Sequence, residues 1–125
     1  MAELNVELVS AERKVWSGKA REVLAKTSEG ELGVLPGHAP LLGQLADGGV
    51  VRILLEGGGE VVAAVHGGFL SVTDQGVTVL AEVAELAEDI DTSRARAALD
   101  RARADDDSEA VRRAEGRLRA AGQPA

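Results

Sequence analysis

The chain contains no cysteine and no tyrosine, and it has one tryptophan, Trp16, and one phenylalanine, Phe69. Without cysteine there is no disulfide framework, no thiolate nucleophile and no cysteine-based zinc site. That composition suits a cytosolic protein. With aromatics at 2 %, base stacking on aromatic platforms is excluded as a main activity. The core must come from Val, Leu, Ile and Ala. An excess of basic charge is also missing. The net charge of −7 repels a phosphate backbone, so no nucleic-acid partner is expected. MAELNVELVS has no basic stretch followed by an apolar run, so no secretory signal is expected. No run approaches the about 18 apolar residues of a membrane span, so work at a membrane would be through a partner.

What is present is enough for one ordinary domain, or a small domain with an appendage: 125 residues, 45 % of them apolar. Two regimes divide the chain. Residues 1–87 carry 12 acids and 6 bases; residues 88–125 carry 9 acids and 8 bases, every base an arginine. Thirteen of the 15 glycines precede Leu80.

Period-2 alternation dominates the first regime. Leu4, Val6 and Leu8 alternate with Glu3, Asn5 and Glu7, the pattern of a half-buried strand. Val15–Trp16, Glu22–Thr27 and Val50–Glu56 are further strand candidates. Gly57–Gly58–Gly59 predicts a hairpin turn into Glu60–His66, and Gly67–Gly68 breaks that run before Phe69–Val72. Val77, Val79, Ala81 and Val83 continue the alternation after the turn at Asp74–Gln75–Gly76. Many short strands with glycine-rich turns imply a sandwich or flattened barrel. Ser28–Gln44 stands apart: Gly30, Gly33, Gly37, Gly43, Pro36 and Pro40 disfavour a helix and a long regular strand, predicting a shaped double turn anchored by Val34–Leu35 and Leu41–Leu42.

In the second regime the period changes to that of a helix. Asp91 or Thr92 caps a first helix with Ala95, Ala98, Leu99 and Ala102 on one face. Asp107 or Ser108 caps a second, with Val111, Ala114, Leu118 and Ala121 as its stripe; Gly122 and Pro124 end it. The short connection predicts an antiparallel hairpin. Its alanine-rich faces bury little area, so it is expected to be a moving part of low independent stability.

The usual chemical signatures do not occur. There is no GxxxxGK[ST] loop, no GxSxG or SxxK serine, and His38 and His66 lack metal-ligand spacing. His38 reads as a turn or contact residue and His66 as a hydrogen-bonded structural histidine. Glu29 and Glu31 read as a solvated acidic rim, against a weak likeness to paired hydrolytic carboxylates. The arginines offer more. Asp91, Arg94, Ala98 and Arg101 run down one side of the first helix, and Arg113 and Arg117 are i, i+4 neighbours on the second. A folded hairpin could gather them for bidentate phosphate binding; the plainer reading is a solvated face of weak ion pairs.

SEGELGVLPGHAPLLGQL, followed by GGVVRI, GGFLSV, VTVLAE and DIDTSRA, resembles the epsilon subunit of bacterial F-type ATP synthase over essentially the whole chain. The resemblance implies an α+β, mostly β fold: a ten-stranded β-sandwich over 1–87 that docks to the rotor, then an antiparallel two-helix hairpin over 88–125 that regulates. It implies a non-catalytic central-stalk subunit with gamma, the c-ring and the alpha/beta hexamer as partners, peripheral on the cytoplasmic face of the membrane. Such a subunit couples proton flow to ATP synthesis, and its helices, when extended, inhibit ATP hydrolysis. Glu29, Glu31 and His38 fall on the family surface that meets the c-ring and gamma. No cofactor is required, but regulatory ATP is implied by the I/L-D-x-x-R-A motif, here Ile90 to Ala95. Asp91, Arg94, Arg101, Arg113 and Arg117 would hold it. The connection between the helices is shorter than in those ATP binders and carries Asp105–Asp106–Asp107, whose charge would repel a triphosphate. Two other readings compete: a stand-alone ATP-sensing module acting through the hairpin, and a small hydrolase using Glu29, Glu31 and His38.

Overall fold

Seven strands and two helices make up the computed structural model, which describes residues 3–125. The strands are β1 Leu4–Ser10, β2 Lys14–Thr27, β3 Gly30–Val34, β4 Leu41–Gln44, β5 Gly49–Leu55, β6 Glu60–Thr73 and β7 Gly76–Leu86. A short 3-10 turn, Ala87–Asp89, leads to α1 Thr92–Ala104 and α2 Ser108–Ala120.

The strands run in the order β1-β7-β6-β5-β2-β3, and β1 also pairs with β2. Five of them therefore close into a flattened barrel, while β3 and β4 extend from β2 and β6. Closure leaves no free edge on those five strands. Among the described residues, β1 and β7 are the one parallel pair. Alternation places Leu4, Val6 and Leu8 inside, as their period predicts, against Val23, Val51, Ile53, Val65, Leu70 and Val79.

The mostly β sandwich followed by two helices is present, but with seven strands in place of ten. The difference lies in three long strands. β2 pairs β1 through Lys14–Ala20 and β3 or β5 beyond Ala20, across a register shift at Ala20/Glu22. Val15–Trp16 and Glu22–Thr27 thus belong to one strand. β6 pairs β5 with its first half and β4 with its second, and β7 follows it along both. Strands that bend without breaking serve two walls each. Ser28–Gln44 is likewise more regular than a double turn, for it contains β3, the turn Leu35–Pro40 and β4.

Gly67–Gly68 does not end a strand; it makes a twist within one. The residues take φ of 63° and 114°, left-handed values that favour glycine. The register with β7 is the same on both sides, His66 opposite Val83 and Gly68 opposite Ala81. What changes is the facing: both strands reverse which residues point inward as they pass this step together. Ala81 is buried but Val83 is 41 % exposed, and Ala84 takes the inward position. The expectation that Val83 continues the buried alternation therefore fails at this step.

The helices begin where sequence places them. Asp91 Oδ1 accepts from the Arg94 amide at 3.1 Å, and Asp107 Oδ1 accepts from the Ala110 amide at 3.1 Å. Each carboxylate satisfies an orphan N–H of the first turn. Ala95, Leu99, Ala114 and Leu118 form a small core of their own, separate from that of the sandwich. Arg96 reaches across to donate to the Pro124 carbonyl at 2.8 Å, closing the antiparallel pair.

Candidate functional site

The hairpin lies on the outer face of the sheet, with α2 against β5 and β6. The burial pattern of β6 shows how that face is made. Ala63 and Val65 point into the sandwich core, whereas Ala64 and His66 are buried yet stand outside that core. Burial on both sides of one strand requires a second layer, and α2 supplies it.

Seating depends on the absence of side chains at Gly48 and Gly116. A Cβ at Gly116 would lie 2.5 Å from the Gly48 carbonyl oxygen and 2.8 Å from its Cα. A Cβ at Gly48 would strike the Arg112 carbonyl, and Gly48 has φ of 68°. Helix backbone and turn backbone touch directly. Gly116 was not apparent from the sequence because it lies outside the apolar stripe of α2; a glycine inside a strong helical pattern was the available signal.

Beside this contact Arg117 Nε donates to Glu85 Oε1 at 2.6 Å, with both side chains about two-thirds buried. His66 is only 4 % exposed and neither ring nitrogen has a hydrogen-bond partner. The expected hydrogen-bonded structural histidine is therefore not found; strand alternation turns the ring to the hairpin side, near Arg117 and Arg113. Burial first, and then the Arg117 guanidinium, push its pKa from 6.5 down to about 4, against the pull of Glu85. His66 is neutral in the docked arrangement at ordinary pH.

The candidate phosphate ligands are only partly brought together. Asp91, Arg94 and Arg117 line one cleft of about 300 Å³ with Glu85 and Asp89. Asp91 is engaged as a cap and Arg117 by Glu85. Arg101 is exposed in the last turn of α1 and is not part of that lining. Arg113 pairs with Glu109 at 3.0 Å.

At the turn-rich segment, Glu29 and Glu31 are exposed and border one groove of about 380 Å³ with Leu41 and Leu42. Thr27 Oγ1 accepts from the Glu29 amide at 3.2 Å and fixes the turn. His38 sits in another cleft, with Asn5, Asp74 and Gln75, and its Nδ1–H donates to the Ala39 carbonyl at 2.7 Å. The two glutamates therefore stand together and His38 stands apart.

An apolar surface also emerges that sequence reading missed. Phe69 lies opposite both Gln44 and Leu80. With Leu42 these side chains are exposed by 50 % (Phe69), 50 % (Leu80) and 70 % (Leu42). Leu80 is apolar in the solvent phase of an otherwise regular alternation, which was the readable signal. Contiguous exposed apolar groups mark contact sites.

Comparison with known proteins gives one result throughout. A family model described as ATP synthase, Delta/Epsilon chain, beta-sandwich domain matches residues 3–87. The protein named ATP synthase epsilon chain of Rhodococcus opacus is 60 % identical over 120 residues, covering 96 % of this chain and 97 % of that protein. The Streptomyces griseus protein of the same name is 56 % identical over 119 residues, 95 % of each. Among solved structures, a chain in the Euglena gracilis mitochondrial ATP synthase superposes with TM-score 0.75 at 33 % identity, covering 94 % of this chain and 76 % of that one. A central-stalk chain of the Tetrahymena thermophila enzyme, at 18 % identity and TM-score 0.55 over 75 % of this chain and 70 % of that one, shares the fold.

The Gly48–Gly116 contact gives a test whose sign is decisive. Gly116→Ala raises intrinsic helix propensity by about 1 kcal/mol, yet it puts a methyl group into the backbone of Gly48. The clash, of about 1–3 kcal/mol, is expected to win. Amide hydrogen exchange in α2 should quicken while the strands keep their protection. Slower exchange in α2 would show that the contact does not seat the hairpin.

Proposed function

The chain belongs to the ATP synthase epsilon-chain family, and on that premise we propose how its two parts serve the rotor. It is a non-catalytic subunit of the proton-transporting ATP synthase, carried on the central stalk with gamma, the c-ring and the alpha/beta hexamer as partners. The observation that carries this is identity extending through both sandwich and hairpin over nearly the whole of named epsilon chains.

Residues 1–87 act as the docking domain. Its tools are a rigid turn segment and the apolar face of Leu42, Phe69 and Leu80. Glu29 and Glu31 offer charge to basic loops of the c-ring without an ordering cost, and His38 contributes from its neighbouring cleft. The apolar face suits gamma, since an apolar centre with a charged rim is the ordinary anatomy of a protein interface. The subunit sits at the cytoplasmic face of the membrane through the complex; no helix among the described residues is long and apolar enough to cross one.

Residues 88–125 act as a regulatory domain. The hairpin has its own small core and rests on the sheet through glycine, alanine and one ion pair. Such a seat favours release, and the released arm would reach toward the alpha/beta hexamer and inhibit ATP hydrolysis. A nucleotide-sensing role is the second reading, favoured by the cleft that Asp91, Arg94 and Arg117 share. The docked arrangement fits a triphosphate poorly. Arg101 and Arg113 do not line that cleft, while Glu85 occupies Arg117.

Three outcomes test these assignments. Replacing Glu31 and His38 together by Ala should weaken attachment of the subunit to the c-ring by about tenfold, the scale of interface charges, with unaltered thermal unfolding. Full proton-coupled ATP synthesis with unchanged attachment would remove them as contacts. A chain ending at Glu88 should raise ATP hydrolysis by the assembled enzyme; an unchanged rate would remove the inhibitory arm. Under the nucleotide reading, millimolar ATP should shift the amide resonances of Arg94 and Arg117, and Arg94→Ala should abolish those shifts. A spectrum indifferent to ATP would eliminate that reading.

A further inference from the structure

We propose that His66 is a proton-operated latch for the hairpin: neutral, it lets α2 seat on β6; protonated, it drives α2 off. The inference rests on the proposed mobility of residues 88–125 and adds the trigger.

The geometry makes the latch. His66 points away from the sandwich core because it follows the core residue Val65 on β6, ahead of the glycine step at Gly67–Gly68. It is buried there by the layer that α2 provides, with Nδ1 and Nε2 both unpartnered. Polar nitrogens left unpaired at a buried contact are costly. An imidazolium, with two N–H donors and a full charge, is far costlier in the same place. Structure offers little room for accommodation. Gly48 and Gly116 are in direct backbone contact, so α2 cannot rise slightly to admit water and stay seated.

The charged groups around the ring come from each element that packs against it. Arg117 and Arg113 on α2 oppose protonation; Glu85 on β7 and Asp47 before β5 favour it. Glu85 is already committed to Arg117 at 2.6 Å, which limits its use to His66. The adjoining cleft brings Arg94 of α1 together with Asp89, Asp91, Glu85 and Arg117. Burial and the two arginines prevail, so the docked form holds His66 at about 4 in place of 6.5.

The sign follows from linkage. A group whose pKa is depressed in the docked state binds its proton more readily once α2 lifts and water reaches the ring. The neutral imidazole's contribution to docking is therefore fully present above about pH 6.5 and is lost as pH falls toward about 4. Between those limits the docking equilibrium falls by roughly tenfold per pH unit. Acidification on this side of the membrane would free the arm. Proton concentration then becomes a signal to the tail as well as the cargo of the complex.

The experiment uses the full chain. Amide protection factors of α1 and α2 are measured from about pH 7 to pH 5, within the range where histidine acts as a switch. Protection should fall about tenfold per unit below about pH 6 while the strands hold theirs. His66→Gln should flatten that slope. Should that variant fold poorly, His66→Phe keeps a ring of similar size without a titration, and the wild-type chain gives an independent readout. With only two histidines present, His38→Gln assigns the imidazole resonances, and the pH dependence of His66 must track α2 protection. Glu85→Gln should keep the slope, separating the imidazole from the ion pair. An equal slope in wild type and in both His66 variants would overturn the latch while leaving the movable arm standing. Helices that exchange only when the strands also exchange would overturn both.

Discussion

The glycine step at Gly67–Gly68 sets what each half of β6 can do. A regular 14-residue strand would present one fixed face inward from end to end. Two glycines at φ of 63° and 114° let the strand turn over its facing while its register with β7 stays unchanged. Before this step, Val65 faces the core and His66 faces the hairpin. After it, Leu70 faces the core and Phe69 faces solvent. A Cβ at Gly68 would strike the Leu80 carbonyl, so β7 runs too close for any other residue. The inversion places the hairpin seat and the exposed apolar face on one continuous strand. It also brings Leu80 into line with Phe69 and releases Val83 from the core.

The seat itself is held by shape more than by area. Alanines and glycines bury little apolar surface, and a methyl group contributes only a fraction of a Leu side chain. The Arg117–Glu85 pair is partly solvated, and pairs of that sort contribute of order 1 kcal/mol. What remains is the close fit of two backbones at Gly48 and Gly116. Such contacts gain dispersion only at van der Waals distance and lose it steeply with separation. Docking is therefore cooperative within the contact and weak across it. The hairpin's own cluster of Ala95, Leu99, Ala114 and Leu118 does not depend on the sheet, so the pair of helices can move without first unfolding.

Much of this was readable from sequence, because period and capping are local. Leu4, Val6 and Leu8, the Asp91 and Asp107 caps, and the Ala95–Leu99 stripe all lie where pattern alone places them. The turn segment carried the family resemblance, although β3 and β4 within it were not foreseen. Its glycines and prolines obscured two short paired strands whose hydrogen bonds come from distant residues. The ten strands that the resemblance implies become seven because β2, β6 and β7 run on without a break. Tertiary pairing, not local propensity, decides whether glycine ends a strand or turns it over. The candidate sites were less legible. Glu29 and Glu31 do stand together, but His38 does not join them, and Arg101 stays outside the cleft of Arg94 and Arg117. Helical spacing fixes which residues share a face, yet says nothing of which face meets the sheet. Gly116 was therefore invisible as a contact, and His66 as an unsatisfied one.

The composition of the interface now has a physical reason. Leucines on the sheet-facing side of α2 would hold the hairpin by area, at about 1.5–3 kcal/mol for each side chain buried. A docked state that strong would not respond to a single proton or a single displaced carboxylate. Alanine and glycine lower the total until one charge is comparable with the whole. An unpaired imidazole at such a contact is costly in the docked state, a cost a purely structural interface would shed by substitution. It is tolerable where the docked state must remain only slightly favoured, because there the same residue that weakens the seat also makes it responsive.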